Sequence, residues 1–364
     1  MQVLQVTPRY LPNLGGVETF VARLSELLVE KGCPVTVYSL DLDMRVAKEQ
    51  SVNGVHVRRF KPLVGDPLYL PPPSFIKAIK RDRADIIHIH NAHTLLPTFV
   101  ALSKKRQKLI LQPHYHKFGQ TRIRNFLLSL YKHSLNDLVF TRTDFVIANS
   151  PYEEKIIHED FPNCRNVILL REALSLTELQ SMKWTPKQPT RILYVGTLRK
   201  YKNVGKLLEA FAYLVKTRRK LLKLVIVGDG PERKQLESRA AKIGIQDYVD
   251  WKRNLSRQKL LKEYSEAGVF VSLSNLESFS RVIHEAILIG IPTVVRNSGA
   301  TANIVEKRLA EGVDSLNPRA IAGAILRATK RSPPQVGKNQ SISLSWEEYS
   351  DKILEIYRKI INKH

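Results

Sequence analysis

Cysteine is scarce in this chain, long apolar runs are missing, and acidic residues are outnumbered. Each shortage closes off a class of protein. Cys33 and Cys164 are the only cysteines in 364 residues, so no disulfide framework is available and buried free thiols are expected. No stretch of eighteen apolar residues occurs, so no helix is expected to span a bilayer. No basic and apolar preamble precedes Val3-Leu4-Gln5-Val6, which predicts a cytoplasmic chain without a signal peptide. The 34 Asp and Glu stand against 58 Lys and Arg, a formal charge of +24. Such a field favours anionic partners: nucleotide diphosphates, acidic glycans, anionic lipid surfaces or nucleic acid. No zinc finger, RNA-recognition signature or basic zipper is present, so nucleic acid is not an expected partner.

Short apolar strands alternate with amphipathic helical stretches, the pattern of parallel α/β sheets. Val3–Thr7, Val17–Lys31 and Val35–Leu40 read as a first strand–helix–strand unit. A second series starts near Arg191, with strands over Ile192–Val195, Leu224–Val227, Tyr248–Trp251, Val269–Leu273 and Thr293–Val295. Its helical patterns lie near Val204–Val215, Glu232–Lys242, Arg257–Ala267 and Arg281–Ile289. The polar stretch Arg171–Thr190, with Pro186 and Pro189, reads as a hinge or linker. The expected division is a first Rossmann-like domain over 1–171, a second over 172–345 and a helix over 346–364 returning to the first. Ligands of open α/β sheets bind at the carboxyl ends of strands. Gly15, Gly16, His114, Gly196, Gly228 and Glu277 all follow strand ends, which makes them candidates for one interdomain cleft.

The most informative segment runs from Glu277 to Val295. Glu277 and Glu285 bracket a turn and a helix start, and Gly290-Ile291-Pro292 ends the helix. At about 1.5 Å of rise per residue, two acids eight residues apart lie roughly 12 Å apart along a helix. That separation suits a ligand with a sugar at one end and a ribose at the other. A helix start near Ser280 would offer unpaired N–H groups to a diphosphate between them. An isolated pair of this kind would read as two solvated helix acids.

The pair is not isolated. The segment resembles the E-x7-E region of the retaining GT-B glycosyltransferases, the group-one family that includes glycogen-synthase-like and mannosyltransferase enzymes. The resemblance covers nearly the whole chain in order. Leu4 to Pro12 with Gly15-Gly16-Val17-Glu18 is similar to the family's opening strand and glycine loop, and Asp85 to His90 to its middle amino-terminal strand. Gln112-Pro113-His114 resembles the strand end that carries the family histidine. Ile192 to Gly196 with Lys202-Asn203, then Val225 to Glu232, resemble the donor domain, and Leu344 to Tyr349 the closing helix. The resemblance implies a GT-B architecture of two Rossmann-like domains facing a cleft. It implies a UDP- or GDP-sugar donor, a glycan or lipid-linked acceptor, transfer with retention, and no metal or other cofactor.

The resemblance also implies roles. Glu277 would contact donor-sugar hydroxyls and Glu285 the ribose, each carboxylate accepting from adjacent hydroxyls. Lys202 would neutralise the leaving diphosphate. Gly15 and Gly16 would admit phosphates to backbone N–H groups, alongside Arg199, Ser280 and Arg281. His114 would face the anomeric side of the sugar, and Tyr10 and Glu18 the acceptor. Four positions depart from the family pattern: Thr197 where an arginine is usual, Ser280 for a glycine, Glu172-Ala173 for Asn-Gly and Asn303 for an acid. A lost phosphate arginine removes roughly 2–3 kcal/mol of charge-assisted bonding, with Arg199 a candidate substitute. These departures keep a non-catalytic sugar- or partner-binding reading open, with a phosphorylase as a minor enzyme alternative.

Three further signals need weighing. Residues 117–142 interleave Lys117, Arg122, Arg124 and Lys132 with Phe118, Phe126 and Leu127, as an anionic membrane surface requires or as an ordinary core-facing helix would show. Asp41-Leu42-Asp43 has a metal-binding form, yet reads as a solvated loop. His88, His90 and His93 have zinc-like spacing without an evident fourth ligand, and read as core or acceptor-side histidines.

Overall fold

The computed structural model describes residues 1–13, 15–42, 44, 46–117, 135–188, 190–217, 222–331 and 342–362. The chain divides into two units, Met1–Ala173 with Leu344–His364, and Leu174–Ser343. The first is built from β1 (Val3–Thr7), α1 (Gly16–Glu30), β2 (Val35–Leu40), β3 (Glu49–Val52), β4 (Val55–Phe60), α2 (Pro73–Arg81), β5 (Ile86–His90) and α3 (Leu96–Ser103). It continues with β6 (Lys108–Gln112), α4 (Asp137–Arg142), β7 (Phe145–Ala148), α5 (Pro151–Asp160) and β8 (Val167–Leu169). The sheet order is β3-β4-β2-β1-β5-β6-β7-β8, and every pairing is parallel except β3 with β4. The central strands are buried along their whole length, as a parallel sheet covered on both faces requires. Alternate residues feed two cores: Leu4 and Val6 point to one, Val3 to the other.

The second core of this unit is closed by a late segment. Ser345 and Glu348 form a reciprocal capping box that starts a helix over Trp346–Ile361. Its Trp346, Tyr349, Ile353, Tyr357 and Ile360 recur every three or four residues and all are buried. Phe20 of α1 meets Trp346 and Tyr349 at ring-centroid distances of 5.4 and 5.3 Å.

The second unit begins with a short strand, β9 (Ala173–Leu174), that straddles the boundary, and α6 (Leu176–Gln180). Six strands follow, β10 (Thr190–Val195), β11 (Leu222–Val227), β12 (Val249–Lys252), β13 (Val269–Ser272), β14 (Thr293–Arg296) and β15 (Glu311–Val313). Their order is β12-β11-β10-β13-β14-β15, all parallel. Between them lie α7 (Val204–Thr217), α8 (Arg233–Lys242), α9 (Arg257–Glu266), α10 (Arg281–Ile289), α11 (Ala300–Glu306) and α12 (Pro318–Ala328). β10 is flanked by β11 on one side and β13 on the other. The chain therefore reverses direction across the sheet at β10 and β13. The first sheet does the same at β1 and β5. Loops diverge at such points and leave room for a ligand.

Two sequence expectations need correction. Arg171–Thr190 is not a bare linker, because Leu174 and Leu179 are buried in the second unit's core and hold α6 against it. Glu277 and Glu285 do not lie along one helix, because α10 starts only at Arg281 and Glu277 sits on the loop before it. Of the 117–142 stretch, residues 118–134 lie outside the described residues, as does Asp43. Lys117 is ion-paired with Glu159 and lies 3.9 Å from Asp160. Among the described residues, no helix is long and apolar enough to cross a membrane, and no group of histidines, cysteines and acids could hold a metal ion.

Candidate active site

In the second unit the loops after β10 and β13 are tied together. A single 3-10 turn, Lys200–Lys202, ends at Asn203, which adopts a left-handed φ of 56°. The Asn203 side chain donates to the Leu273 carbonyl at 2.8 Å and to Asn275 Oδ1 at 2.9 Å. The Asn275 amide donates back to the Tyr201 carbonyl at 2.9 Å. This lacing brings Lys202 Nζ to 2.6 Å from Glu277 Oε1. Both side chains are largely buried, so the solvated reading of Glu277 does not hold. Burial works against the Lys202 charge, but Glu277 outweighs it and the lysine's pKa lies above its ordinary value. The same rim is shaped by glycines: at Gly228, with φ of 153°, a Cβ would overlap the Gly196 carbonyl. The two strand-end loops therefore touch backbone to backbone.

Four residues after Glu277 the chain enters α10 through Ser280, whose φ of 71° and ψ of 82° are left-handed. The Ser280 carbonyl accepts from the Ile283 amide and from His284 Nδ1, while its hydroxyl is buried with no partner among the described residues. Phe279 and His284 stack at 4.0 Å and brace this turn. The first amides of a helix have no intrahelical acceptor. In α10 the Ile283 and His284 amides turn back to the carbonyl of Ser280, the residue that carries the buried hydroxyl. Arg199 is half-buried, and its side chain has no hydrogen-bond or ion-pair partner among the described residues. Thr197 is exposed, and only its carbonyl is engaged, by the Tyr194 hydroxyl at 3.0 Å.

Glu285 projects from α10 into a network that sequence reasoning missed. Arg257 Nη1 donates to Glu285 Oε1 at 2.8 Å, and the Tyr264 hydroxyl donates to Oε2 at 3.1 Å. The rest of the guanidinium forks onto Glu178, with Nε at 3.0 Å and Nη2 at 2.7 Å from Oε2. Burial opposes the Arg257 charge, and Glu285 and Glu178 raise its pKa above the ordinary value nonetheless. Glu285 is therefore oriented before any ligand arrives.

In the first unit, Gly15 caps α1 in an extended conformation and Glu18 lies in the first turn. The Glu18 carboxylate folds back over Gly15, where a Cβ would overlap it, and pairs with Arg9 at 2.6 Å. Next door, a Cβ on Gly16 would meet nothing within 4 Å. Tyr10 is 2% exposed and sits in the core, so the expected contact of this residue with an acceptor is not one its buried side chain can make.

His114 follows β6 in a left-handed conformation, with φ of 47°. Burial lowers its pKa to about 4, so the ring is neutral. Asn149, at the end of β7, bonds its Nδ1 at 3.2 Å. The ring lies beside His90 and Phe20, at 6.0 and 6.1 Å. His88 and His90 are core residues and not ligands: their rings lie 4.4 Å apart and tilted by 31°, and they bond Tyr357 at 2.8 Å and Gln5 at 2.7 Å. Burial, with the charge of His114 as a further cause, lowers His88 to about 3; burial, with the charges of His88 and His114, lowers His90 well below the usual histidine range.

Comparison with known proteins places this geometry. Residues 178–340 match the family described as "Glycosyl transferases group 1", and residues 14–169 match "Glycosyltransferase Family 4". An uncharacterized glycosyltransferase of Methanocaldococcus jannaschii is 26% identical over 64% of this chain and 64% of its own length. A GDP-mannose-dependent alpha-mannosyltransferase of Mycolicibacterium smegmatis is 23% identical over 100% of this chain and 98% of its own. Among solved structures, sucrose-phosphate synthase from Thermosynechococcus elongatus superposes with a TM-score of 0.79 at 18% identity, covering both chains fully. The architecture is GT-B.

Proposed function

The chain belongs to the glycosyltransferases of group 1, and from that premise we propose that it moves a sugar from a UDP- or GDP-sugar to a glycan or lipid-linked acceptor, with retention and without a metal. The observation that carries this reading is the 2.6 Å pair of Lys202 and Glu277 at the ends of β10 and β13, beside the start of α10. Glu277 accepts from hydroxyls of the donor sugar, and Glu285 from the ribose. As the bond from the anomeric carbon to the diphosphate oxygen breaks, negative charge grows on the diphosphate. Lys202, Arg199 and the first amides of α10 stabilise it, with Arg281 on the same turn. These groups supply the positive charge that a metal provides elsewhere, which supports a metal-independent reaction.

The acceptor oxygen forms the new bond on the face the diphosphate leaves, and its proton passes to a phosphate oxygen of the leaving group. His114 supports the positive charge on the sugar through its carbonyl, which the left-handed backbone turns away from the strand. Gly15 and Gly16 serve the phosphates, and Glu18 the acceptor. The charge of +24 supports work on an anionic membrane surface from the cytoplasmic side.

The test is a thermal-shift panel of nucleoside diphosphates and nucleotide sugars, with and without magnesium. A ligand that binds the native state raises its stability in proportion to the logarithm of concentration over Kd. A metal-independent shift with one base identifies the nucleotide. No shift with any of them sinks the transferase reading. A β-linked product from an α-linked donor would sink retention alone.

A further inference from the structure

The left-handed His114 sits in a frame of fully buried polar side chains that the reaction outlined above does not use. Gln112, Asn149 and Glu153 are each 0% exposed. Glu153, in the first turn of α5, accepts the Tyr115 amide on Oε1 and the Asn149 amide, at 2.7 Å, on Oε2. One carboxyl group thus pins the backbone just after His114 and the backbone of Asn149, which fixes the distance between the Asn149 amide group and the His114 ring. The orientation of that amide group is fixed as well. Gln112 Nε2 donates to Asn149 Oδ1 at 2.6 Å, leaving Asn149 Nδ2 to face His114 Nδ1 at 3.2 Å. An amide nitrogen only donates, so Nδ1 must be the acceptor and carry no proton. The proton of the neutral ring is then on Nε2. That atom is buried and has no hydrogen-bond partner among the described residues. A buried N–H without an acceptor is costly, and a ligand oxygen would satisfy it.

We propose that Asn149 is a positioning residue that holds His114 as the Nε2–H tautomer, so that the ring presents a hydrogen-bond donor to an oxygen of the bound sugar. The inference rests on the placement of His114 beside the donor sugar. Tautomer choice is the content of the Asn149 role: an acceptor at the same position would reverse the ring's two nitrogens. Glu153 and Gln112 act one step further out, on the position and the rotation of the Asn149 amide.

The decisive measurement is the ring nitrogen spectrum of histidine-labelled protein, with the His114 signals assigned by their loss in His114→Gln. The expected result for the unmodified chain at neutral pH is a neutral ring protonated on Nε2. Asn149→Asp, isosteric but accepting on both oxygens, should move the proton to Nδ1 and lower kcat/KM for the donor by about 10- to 100-fold, the loss expected for one hydrogen bond to the reacting sugar. Asn149→Ala should leave a mixture of tautomers and a smaller loss. A role in packing alone predicts the opposite order, since the isosteric variant disturbs packing least. Protonation on Nδ1 in the unmodified chain overturns the proposal without recourse to any variant. So does a tautomer reversal that leaves kcat/KM unchanged, or a larger loss in the alanine variant than in a folded aspartate variant. Absence of transfer with every nucleotide sugar, while the Nε2 proton is in place, would overturn the transferase reading and not the tautomer.

Discussion

Arg257 and Tyr264 each occupy one oxygen of the Glu285 carboxylate. A carboxylate has about four acceptor sites, so two remain for neighbouring hydroxyls, and their directions are set by the two donors already in place. Removing the guanidinium leaves Glu285, whose side chain is 8% exposed, without its cation and free to rotate. Arg257→Ala is expected to raise the donor KM about tenfold with kcat nearly unchanged, as for a contact made equally in ground and transition states. Arg257→Lys should recover only part of this, because an ammonium cannot span Glu178 and Glu285 as the planar fork does. Steady-state kinetics over donor concentration checks both, and a kcat loss with constant KM would contradict the argument. The positions of Glu277 and His114 after strand ends and of Glu285 on a helix are legible in the sequence because strand and helix periodicity are local. The partners are not. Glu178 and Arg257 are 79 residues apart and Arg257 and Glu285 are 28 apart, and no local pattern signals such a contact. Asn149 is hidden for the same reason, lying 35 residues from His114.

Helix α10 was readable to the residue, since Gly290 in a left-handed conformation and Pro292 after it stop the helix where the sequence places the stop. Its start was harder. The resemblance marks Ser280 as a departure, and the backbone gives the departure a cost: a non-glycine residue at φ of 71° with a buried hydroxyl that has no partner among the described residues. Left-handed backbone costs an L-residue roughly 1–2 kcal/mol, offset in part by the greater freedom of glycine in the unfolded chain. Ser280→Gly is expected to stabilise the second unit by about 1 kcal/mol, or roughly 2–4 °C in Tm. A calorimetric scan showing a fall in Tm would mean that the serine hydroxyl holds something in the native state. At the other end of the scale of legibility, α6 was lost in a polar stretch. It is only five residues long, and its one fully buried side chain, Leu179, gives no period to detect.

Three fully or largely buried histidines of the first unit, His88, His90 and His114, set how that unit responds to pH. His88, with a pKa near 3, His90, well below the usual range, and His114, near 4, are neutral when folded, while an unfolded chain protonates them near pH 6.5. The unfolded state therefore binds more protons as pH falls below about 6.5, and stability drops by up to about 1.4 kcal/mol per pH unit for each ring, or about 4 for three, until pH nears 4. Glu153 has the opposite sign. Burial, against two backbone N–H bonds, lifts its pKa to about 8, so its contribution is present at low pH and is lost as pH rises toward 8. The first unit should be most stable near pH 6.5, falling steeply on the acid side and gently on the alkaline side. Its Tm measured from pH 4.5 to 8.5 checks this, and His90→Gln should flatten the acid limb. The alternation of strands and helices made the α/β fold legible throughout, because the central strands are buried on both faces. The order of those elements has one more consequence, for biosynthesis. Phe20 and His88 wait for Trp346, Tyr349 and Tyr357, and residues 174–343 must be translated in between. At about 5–20 residues per second, the nascent first unit stands for roughly ten to thirty seconds with the α1 side of its core uncovered, so this protein should be a chaperone client on the ribosome.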